Sequence, residues 1–582
     1  MTALAAVSLA LTPLLPLLMA LAVVPPRSRE WVARLLPLAP LPALAAAFLV
    51  QSGGDLLLEP VLLGLDLGID GPRRLLLVMT ALLWMAAGLY GRGYIPRDAA
   101  QHRYNAFFLA SMGGNLGLIV ALDAPGFYLF FSLMTLCSYM LVVFERGERS
   151  YRAGRVYLVL SLIGEMALLW GLLRAVAAAD SLMIDDMPVA LAEGGALTPL
   201  LLFFGFAIKA GQFPLHVWLP LAHPAAPTPA SAVLSGAMIK AGLLGLLLFL
   251  PLGEAAFAQP GLLMAALGMV TAFYGVLFGL PQRNPKTVLA YSSLSQMGVL
   301  ISALGVVQAS PQAAPLLLPA VVFYALHHGF SKGALFLSVG VVQQGRTGRL
   351  LALSVAAVAA VAIAGAPLTG GSLAKLLVKA GVEEAQGTAA SLVAPLLSWS
   401  AVGTALLMLR FLAALAAEPR KQGEESKEPP GAGWIFWIPF AGTAALAQLF
   451  AWSLVLVEGA EVAEKAVTAY GLWESAWPLL LALVLAAVWL LAERRLNLPK
   501  PDVAEGDLIA WVPTLAQVRE SGHRLYITLA RPLRRRPQLV TATGQGLADV
   551  VQKWEQALVR PQGLPITLLL LSGLLLLVIL AS

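Results

Sequence analysis

Glu165, Lys209, Lys240, His327, His328, Lys332 and Lys375 lie inside runs of sequence that otherwise hold almost only apolar and small residues. Holding a charge at the centre of a bilayer costs from ~3 kcal/mol upward, so such groups are retained where they bind or move ions. An amine can carry a proton and release it again, and burial narrows the gap between its two forms. Histidine changes charge close to neutral pH. Lysines with histidines between them are therefore the side chains of a proton relay. Arg174 and Arg410 lie near the ends of their runs and are expected to extend towards the headgroups.

The spacing of these residues adds to the argument. Lys209 stands in FGFAIKAGQFPLHVWLP, where Pro214 predicts an interrupted helix that frees a carbonyl at membrane depth. The stretch HPAAPTPASAVLSGAMIK follows and ends in Lys240. A second interruption is predicted in IAGAPLTGGSLAKLLVKAG, where Pro367, Gly370 and Gly371 precede Lys375. Two broken, lysine-bearing helices in separate halves of a chain suggest an internal repeat of transporter type. Between them, in FYALHHGFSKGALFL, Tyr324, His328 and Lys332 recur at intervals of four and share one helix face. His327 lies on another face. A lone histidine in a membrane helix is more often a satisfied structural group than a relay; the set argues otherwise.

These residues must be positioned by membrane-spanning helices. The chain has 582 residues, 59% of them hydrophobic and only 12% charged, against about a quarter charged in soluble domains. Apolar runs of about 20 residues, enough for ~30 Å of hydrocarbon, recur from end to end. Spans are expected near 3–24, 34–51, 74–92, 105–122, 125–144, 156–178, 196–222, 229–251, 260–280, 286–307, 315–340, 350–380, 390–416, 433–458, 473–492 and 564–581. The fold class is thus an all-α polytopic membrane protein of about 14–16 transmembrane helices.

Loop charges check this reading independently. Odd-numbered loops are basic, with Arg27, Arg29 and Arg34, Arg146, Arg149 and Arg152, and Arg283 with Lys286. Even-numbered loops are acidic, with Asp180, Asp185 and Asp186, then Glu383 and Glu384. The second loop is mixed, holding Asp55, Glu59, Asp66 and Asp70 beside Arg73 and Arg74. Basic loops face the cytoplasm, so both termini are expected outside it. The net charge of +6 then belongs to loops rather than to nucleic-acid binding.

The chain divides into N-terminal helices (1–103), a core (104–416), C-terminal helices (417–497), a polar basic segment (498–563) and a terminal anchor (564–582). The basic segment places Ile527, Leu529, Leu547, Val551, Trp554 and Leu558 at helix-like spacing, which reads as an amphipathic helix on the membrane surface or along a neighbouring subunit. The alternative is a cytoplasmic tail. The only cysteine is Cys137, so disulfides and cysteine-held clusters within the chain are excluded. No metal or cofactor motif is present, and none is expected in this chain.

KAGQFPLHVWLPLAHPAAPTPASAVLSG, AYSSLSQMG, HHGFSKGALFL and PLTGGSLAK resemble the antiporter-like membrane subunits of respiratory complex I, membrane-bound hydrogenases and multi-subunit cation/proton antiporters. The resemblance runs from about Tyr104 to Leu412. It implies two inverted five-helix repeats, each with one broken helix, and a hydrated mid-membrane row along which protons pass. By that resemblance Lys209 is the central lysine, Lys240 the lysine of the next helix, His328 and Lys332 the relay pair, and Lys375 the lysine of the second broken helix. The chain departs from the pattern at Ser132, in FFSLMTLCSY, where the family carries the glutamate that pairs with the central lysine. Glu165, in LSLIGEMALLW, is the nearest carboxylate in sequence. Tyr324 stands where many relatives have a histidine, and His327 is extra.

Four functions fit these expectations. The first is a proton-translocating subunit of a complex I-like or hydrogenase-like respiratory complex in a bacterial-type inner membrane, with other membrane subunits and peripheral redox subunits as partners. The others are a proton-coupling subunit of a two-component inorganic-carbon uptake system, a cation/proton antiporter subunit, and a structural subunit in which Ser132 marks lost conduction.

Overall fold

Backbone groups in hydrocarbon must find partners within the protein, which leaves helices as the spanning element of an apolar chain such as this one. The computed structural model describes residues 1–59, 64–97, 100–254, 257–344, 348–419, 434–458 and 460–496. The expected surface segment and the anchor at 564–581 lie outside the described residues. The described residues form one compact unit.

The first helices are α1 (Ala3–Ala22), α2 (Arg29–Leu35) and α3 (Leu41–Leu49). A hairpin follows, β1 (Asp55–Leu58) antiparallel to β2 (Leu65–Gly68), with Asp55 opposite Gly68 and Leu58 opposite Leu65. Sequence reading made this stretch a loop. It is ordered as a hairpin against the next turn, where Leu122 N–H donates to the Asp66 carbonyl (2.9 Å) and Asp66 N–H donates to Asp123 Oδ2 (2.9 Å).

Four long helices follow: α4 (Gly71–Tyr94), α5 (Gln101–Val120), α6 (Ala124–Val142) and α7 (Glu148–Ala179). After the short α8 (Met187–Glu193) come α9 (Leu197–Ala210), α10 (Trp218–Ala225), α11 (Thr228–Val233) and α12 (Lys240–Phe249). The last two are joined by a widened π-turn over Leu234–Met238. The chain continues through α13 (Ala258–Gly279), α14 (Pro285–Ala309), α15 (Ala314–Gln344), α16 (Arg349–Ala364), α17 (Gly370–Glu384) and α18 (Thr388–Ala417). It closes with α19 (Trp434–Glu458), α20 (Ala460–Val467) and α21 (Ala469–Leu496). Among the described residues twelve helices, short segments joined, are long and apolar enough to cross a membrane, and α9 and α16 are shorter apolar helices. Every expected span within the described residues falls on a helix or an interrupted pair.

Helix α14 is the axis of the bundle and is buried along its whole length. Its neighbour α13 reaches it through glycines. A Cβ at Gly268 would stand 2.6 Å from the Gly298 carbonyl oxygen, and one at Gly305 would stand 2.3 Å from Ala265 N. Such small-residue seams bring membrane helices together where lipid provides no hydrophobic drive. The outer helices present the converse, with Leu483, Val484, Val488 and Leu491 of α21 exposed where lipid would cover them.

The two interruptions have one construction. Gly211, at φ +75°, ends α9: its N–H donates to the Ile208 carbonyl (3.1 Å), and Gln212 N–H donates to that of Ala207 (2.9 Å). Gly365, at φ +90°, ends α16 with the same pair of bonds, from Gly365 to Ala362 (2.9 Å) and from Ala366 to Val361 (3.2 Å). This double closure satisfies carbonyls that a helix end would otherwise leave bare. Pro214 and Pro367 lie within these interruptions, between the half-helices, and Gly370 and Gly371 open the second half-helix, while the helix ends themselves are set at Gly211 and Gly365. A proline stops a helix from continuing, but the end itself is set where glycine can turn left-handed.

An alanine at either position has to enter the left-handed region, at roughly 1–2 kcal/mol. At Gly211 its Cβ meets only ordinary contacts, the nearest at 3.4 Å, whereas at Gly365 it lies 2.9 Å from Lys375 Cδ. In thermal unfolding of the detergent-solubilised protein, Gly365→Ala should lower the midpoint more than Gly211→Ala.

Candidate functional site

Lys209 occupies the last turn of α9, where the exposed carbonyl end of the helix favours a cation. Its ammonium donates to Thr135 Oγ1 (3.2 Å) on α6 and to Tyr157 Oη (3.1 Å) on α7. The same charge lies over the rings of Phe131 (5.9 Å) and Tyr157 (5.4 Å). Tyr157 donates in turn to the Thr135 carbonyl (3.1 Å) and shares a 2.9 Å bond with Ser138 Oγ. Across the gap, the Trp218 indole of α10 donates to the Ile208 carbonyl (2.8 Å).

Glu165 joins this group. Its carboxylate is buried, faces the charge of Lys209 and has the hydroxyls of Ser132 and Thr135 beside it. Ser132 Oγ and Glu165 Oε1 have no hydrogen-bond partner in strict geometry among the described residues. Glu165, Lys209, Thr135, Ser161 and Trp218 line one small cavity, with room for about one water. Helices α7 and α9 cross here at a glycine contact, where a Cβ at Gly205 would stand 2.8 Å from the Gly164 carbonyl oxygen.

The remaining lysines also rest on neutral acceptors. Lys240 donates to the Ser235 carbonyl (2.7 Å) inside the π-turn, where winding is irregular and a carbonyl can turn to a side chain. Lys332 donates to the Leu289 carbonyl of α14 (3.0 Å), and Lys375 to the Ala364 carbonyl at the broken end of α16 (2.6 Å). Lys240 and Lys332 are almost wholly buried, whereas Lys375 is partly open.

The adjacent histidines divide between them. His328 faces the charges of Lys240 and Lys332, and neither ring nitrogen has a hydrogen-bond partner among the described residues. His327 faces Lys375, bonds Ser331 Oγ through Nε2 (3.3 Å) and packs on the bare backbone of Gly370 and Gly371. A Cβ at Gly371 would come within 3.0 Å of its Cε1. The N–H of Gly370 is met by Gln448 Oε1 of α19 (2.8 Å). Tyr324 donates to Gln296 Oε1 and borders the Lys375 cavity, and Gln296 Nε2 donates to Thr404 Oγ1 (2.7 Å).

Sequence reasoning missed several members. Tyr157, Ser161 and Glu165 stand at intervals of four on α7, a polar stripe that was legible beside the carboxylate. His223 on α10 is fully buried, stacked on Phe336 at 4.5 Å, and faces Lys240, Lys286 and Lys332. Lys286, read as a loop charge, is buried at the start of α14 and donates to the Ala226 carbonyl (2.8 Å). A loop lysine and a helix-initial lysine look alike in sequence.

Comparisons with known proteins agree with this architecture. Residues 121–398 match the family model described as "NADH:quinone oxidoreductase/Mrp antiporter, TM". The antiporter-like core belongs to that family. Hydrogenase-4 component B of Escherichia coli (strain K12) is 32% identical over 293 residues, covering 48% of this chain and 43% of that protein. A probable K(+)/H(+) antiporter component of Rhizobium meliloti (strain 1021) is 30% identical over 334 residues, covering 54% and 32%. The chain thus spans less than half the length of these relatives. The Mrp complex of Dietzia sp. DQ12-45-1b shares the fold at TM-score 0.70 and 24% identity, covering 95% of this chain and 62% of that one. The archaeal membrane-bound sulfane sulfur reductase shares it at TM-score 0.62 and 20% identity, covering 81% and 99%.

Tyr157 is the hub of the antiporter-like core's first lysine site. Tyr157→Phe removes one of the two hydrogen bonds to Lys209, and should lower stability in detergent by about 1–3 kcal/mol.

Proposed function

We propose that this chain is a proton-translocating subunit of a larger complex I-like or hydrogenase-like membrane complex. The observation that carries this reading is the series of buried lysines held on neutral oxygens. A carbonyl or hydroxyl accepts from either an ammonium or an amine, so these contacts persist in both protonation states. An amine also carries a proton as part of itself while offering little to Na⁺, whose ligands are oxygens.

The order of the relay is Lys209 with Glu165, then Lys240, then Lys332 and His328, then His327 and Lys375. In this order each histidine stands between charges it can pass on. Tyr324 and Gln296 border the last step. Glu165 takes the role that the family gives to the residue at Ser132. Two features support this: its carboxylate shares a cavity with Lys209, and Ser132 lies beside that carboxylate. The two matching helix breaks support an inverted repeat around the relay. Redox or partner chemistry would reside in other subunits, and the alternation of basic and acidic loops supports termini outside the cytoplasm. This chain would need no cofactor of its own.

The test is proton uptake, by dye quenching, in inverted membrane vesicles carrying the intact complex. Lys209→Ala should abolish it. Glu165→Gln should lower it about tenfold or more, as expected for loss of the opposite charge beside the lysine. Ser132→Glu added to Glu165→Gln should restore a substantial part. Normal pumping in Lys209→Ala would end the proposal, and normal pumping in Glu165→Gln would end the role of that carboxylate.

A further inference from the structure

A cavity between α17, α18 and α21 encloses about 570 Å³, counting the part open to the surroundings. Lys375 borders it, together with Tyr324, Ser372, Ser398, Ser400 and Ser475. Polar walls of this kind are what a water path requires, since a water needs two to four partners. Lys375 is also the one member of the lysine series that is partly open, while Lys209, Lys240 and Lys332 are shut in.

Along α17 the charges recur at every turn on one face: Lys375, Lys379 and Glu383. Lys379 lines the cavity and pairs with Glu474 of α21, which lines it as well. It also lies 3.7 Å from Glu383. Exposure rises along this line: the side chains of Lys379 and Glu474 are 20% and 16% exposed, and that of Glu383 is 47% exposed. The ion pair therefore stands between the relay's last lysine and the surface where α17 ends. Trp399 and Trp477 meet edge-to-face at 6.2 Å and hold α21 on α18 one turn away.

We propose that this cavity is the port through which protons exchange between Lys375 and the membrane face at which α17 ends, and that the Lys379–Glu474 ion pair is its gate. The inference rests on the relay reading for Lys375. With the pair closed, the two helices bridge the water path. With it open, the Lys375 ammonium can pass its proton to water, leaving a neutral amine on the Ala364 carbonyl and a hydronium ion in the port. A pair bridging two helices suits this role because its loss leaves the backbone of each helix intact.

Thiol labelling tests the port without relying on transport. Cys137, the only cysteine of this chain, is buried, so a cysteine introduced at Ser398 can be followed with a membrane-impermeant maleimide in vesicles carrying the intact complex, the label being read on this chain after the subunits are separated by denaturing electrophoresis. Ser398→Cys should label slowly with the pair intact. It should label at least about fivefold faster when Glu474→Gln or Lys379→Met is added, the change expected from losing an ion pair of ordinary strength. The exchanged pair, Lys379→Glu with Glu474→Lys, should return labelling to the slow rate. Equal labelling in all four backgrounds overturns the gate, and so does an exchanged pair that labels as fast as the single variants. The relay proposal fails separately. Gated labelling in a complex whose Lys209→Ala variant still pumps would leave a gated cavity without the proton relay.

Discussion

An unmet backbone group in hydrocarbon costs several kcal/mol, and the two helix breaks are built around that penalty. At each break a left-handed glycine closes the helix end on itself, and a side chain from beyond the gap also donates to a carbonyl of that end. Trp218 does so at the first break and Lys375 at the second. The second arrangement merges structure and chemistry, because the group that satisfies the broken end is also the group that would carry the proton. Removing the break would take away the acceptor on which Lys375 rests.

Glycine contacts set the rest of the geometry. The seam between α13 and α14 fixes the central axis, and α14 then offers the Leu289 carbonyl to Lys332 and Gln296 to Tyr324. On the other side, Gly370 and Gly371 give His327 access to the start of α17. These glycines do not carry the chemistry. They bring polar groups on separate helices within reach of one another.

Much of this was legible in the sequence because charge is so costly in an apolar run that each instance is conspicuous. Lys209, Lys240, Lys332 and Lys375 were located that way, and both interruptions from the prolines beside them. The exact break points were not, because proline is the more visible signal, yet the termination is made by Gly211 and Gly365. Neutral partners such as Thr135 and the Leu289 carbonyl leave no sequence signature, since any helix offers them. His223 and Lys286 were hidden for another reason. Lys286 is buried where the loop before α11 meets the start of α14, and His223 where it stacks on Phe336 of α15, tertiary contacts that no local pattern reports. The hairpin at β1 and β2 was likewise fixed by bonds to residues more than fifty positions away.

The crossing of α7 and α9 at Gly164 and Gly205 constrains the kinetics of the first step. Glu165 directly follows one of these glycines, and Lys209 stands one turn beyond the other, so the backbones carrying donor and acceptor are locked at close contact. The separation of the two helices is then not a free variable of the cycle. What remains adjustable is the rotamers of Lys209 and Glu165 and the hydroxyl rotors of Tyr157, Thr135 and Ser132. Side-chain reorientation of that kind belongs to faster motions than the microsecond-to-millisecond movements of whole helices. In the proposed relay the first transfer would thereby be set apart in time from any slower rearrangement at α17 and α21.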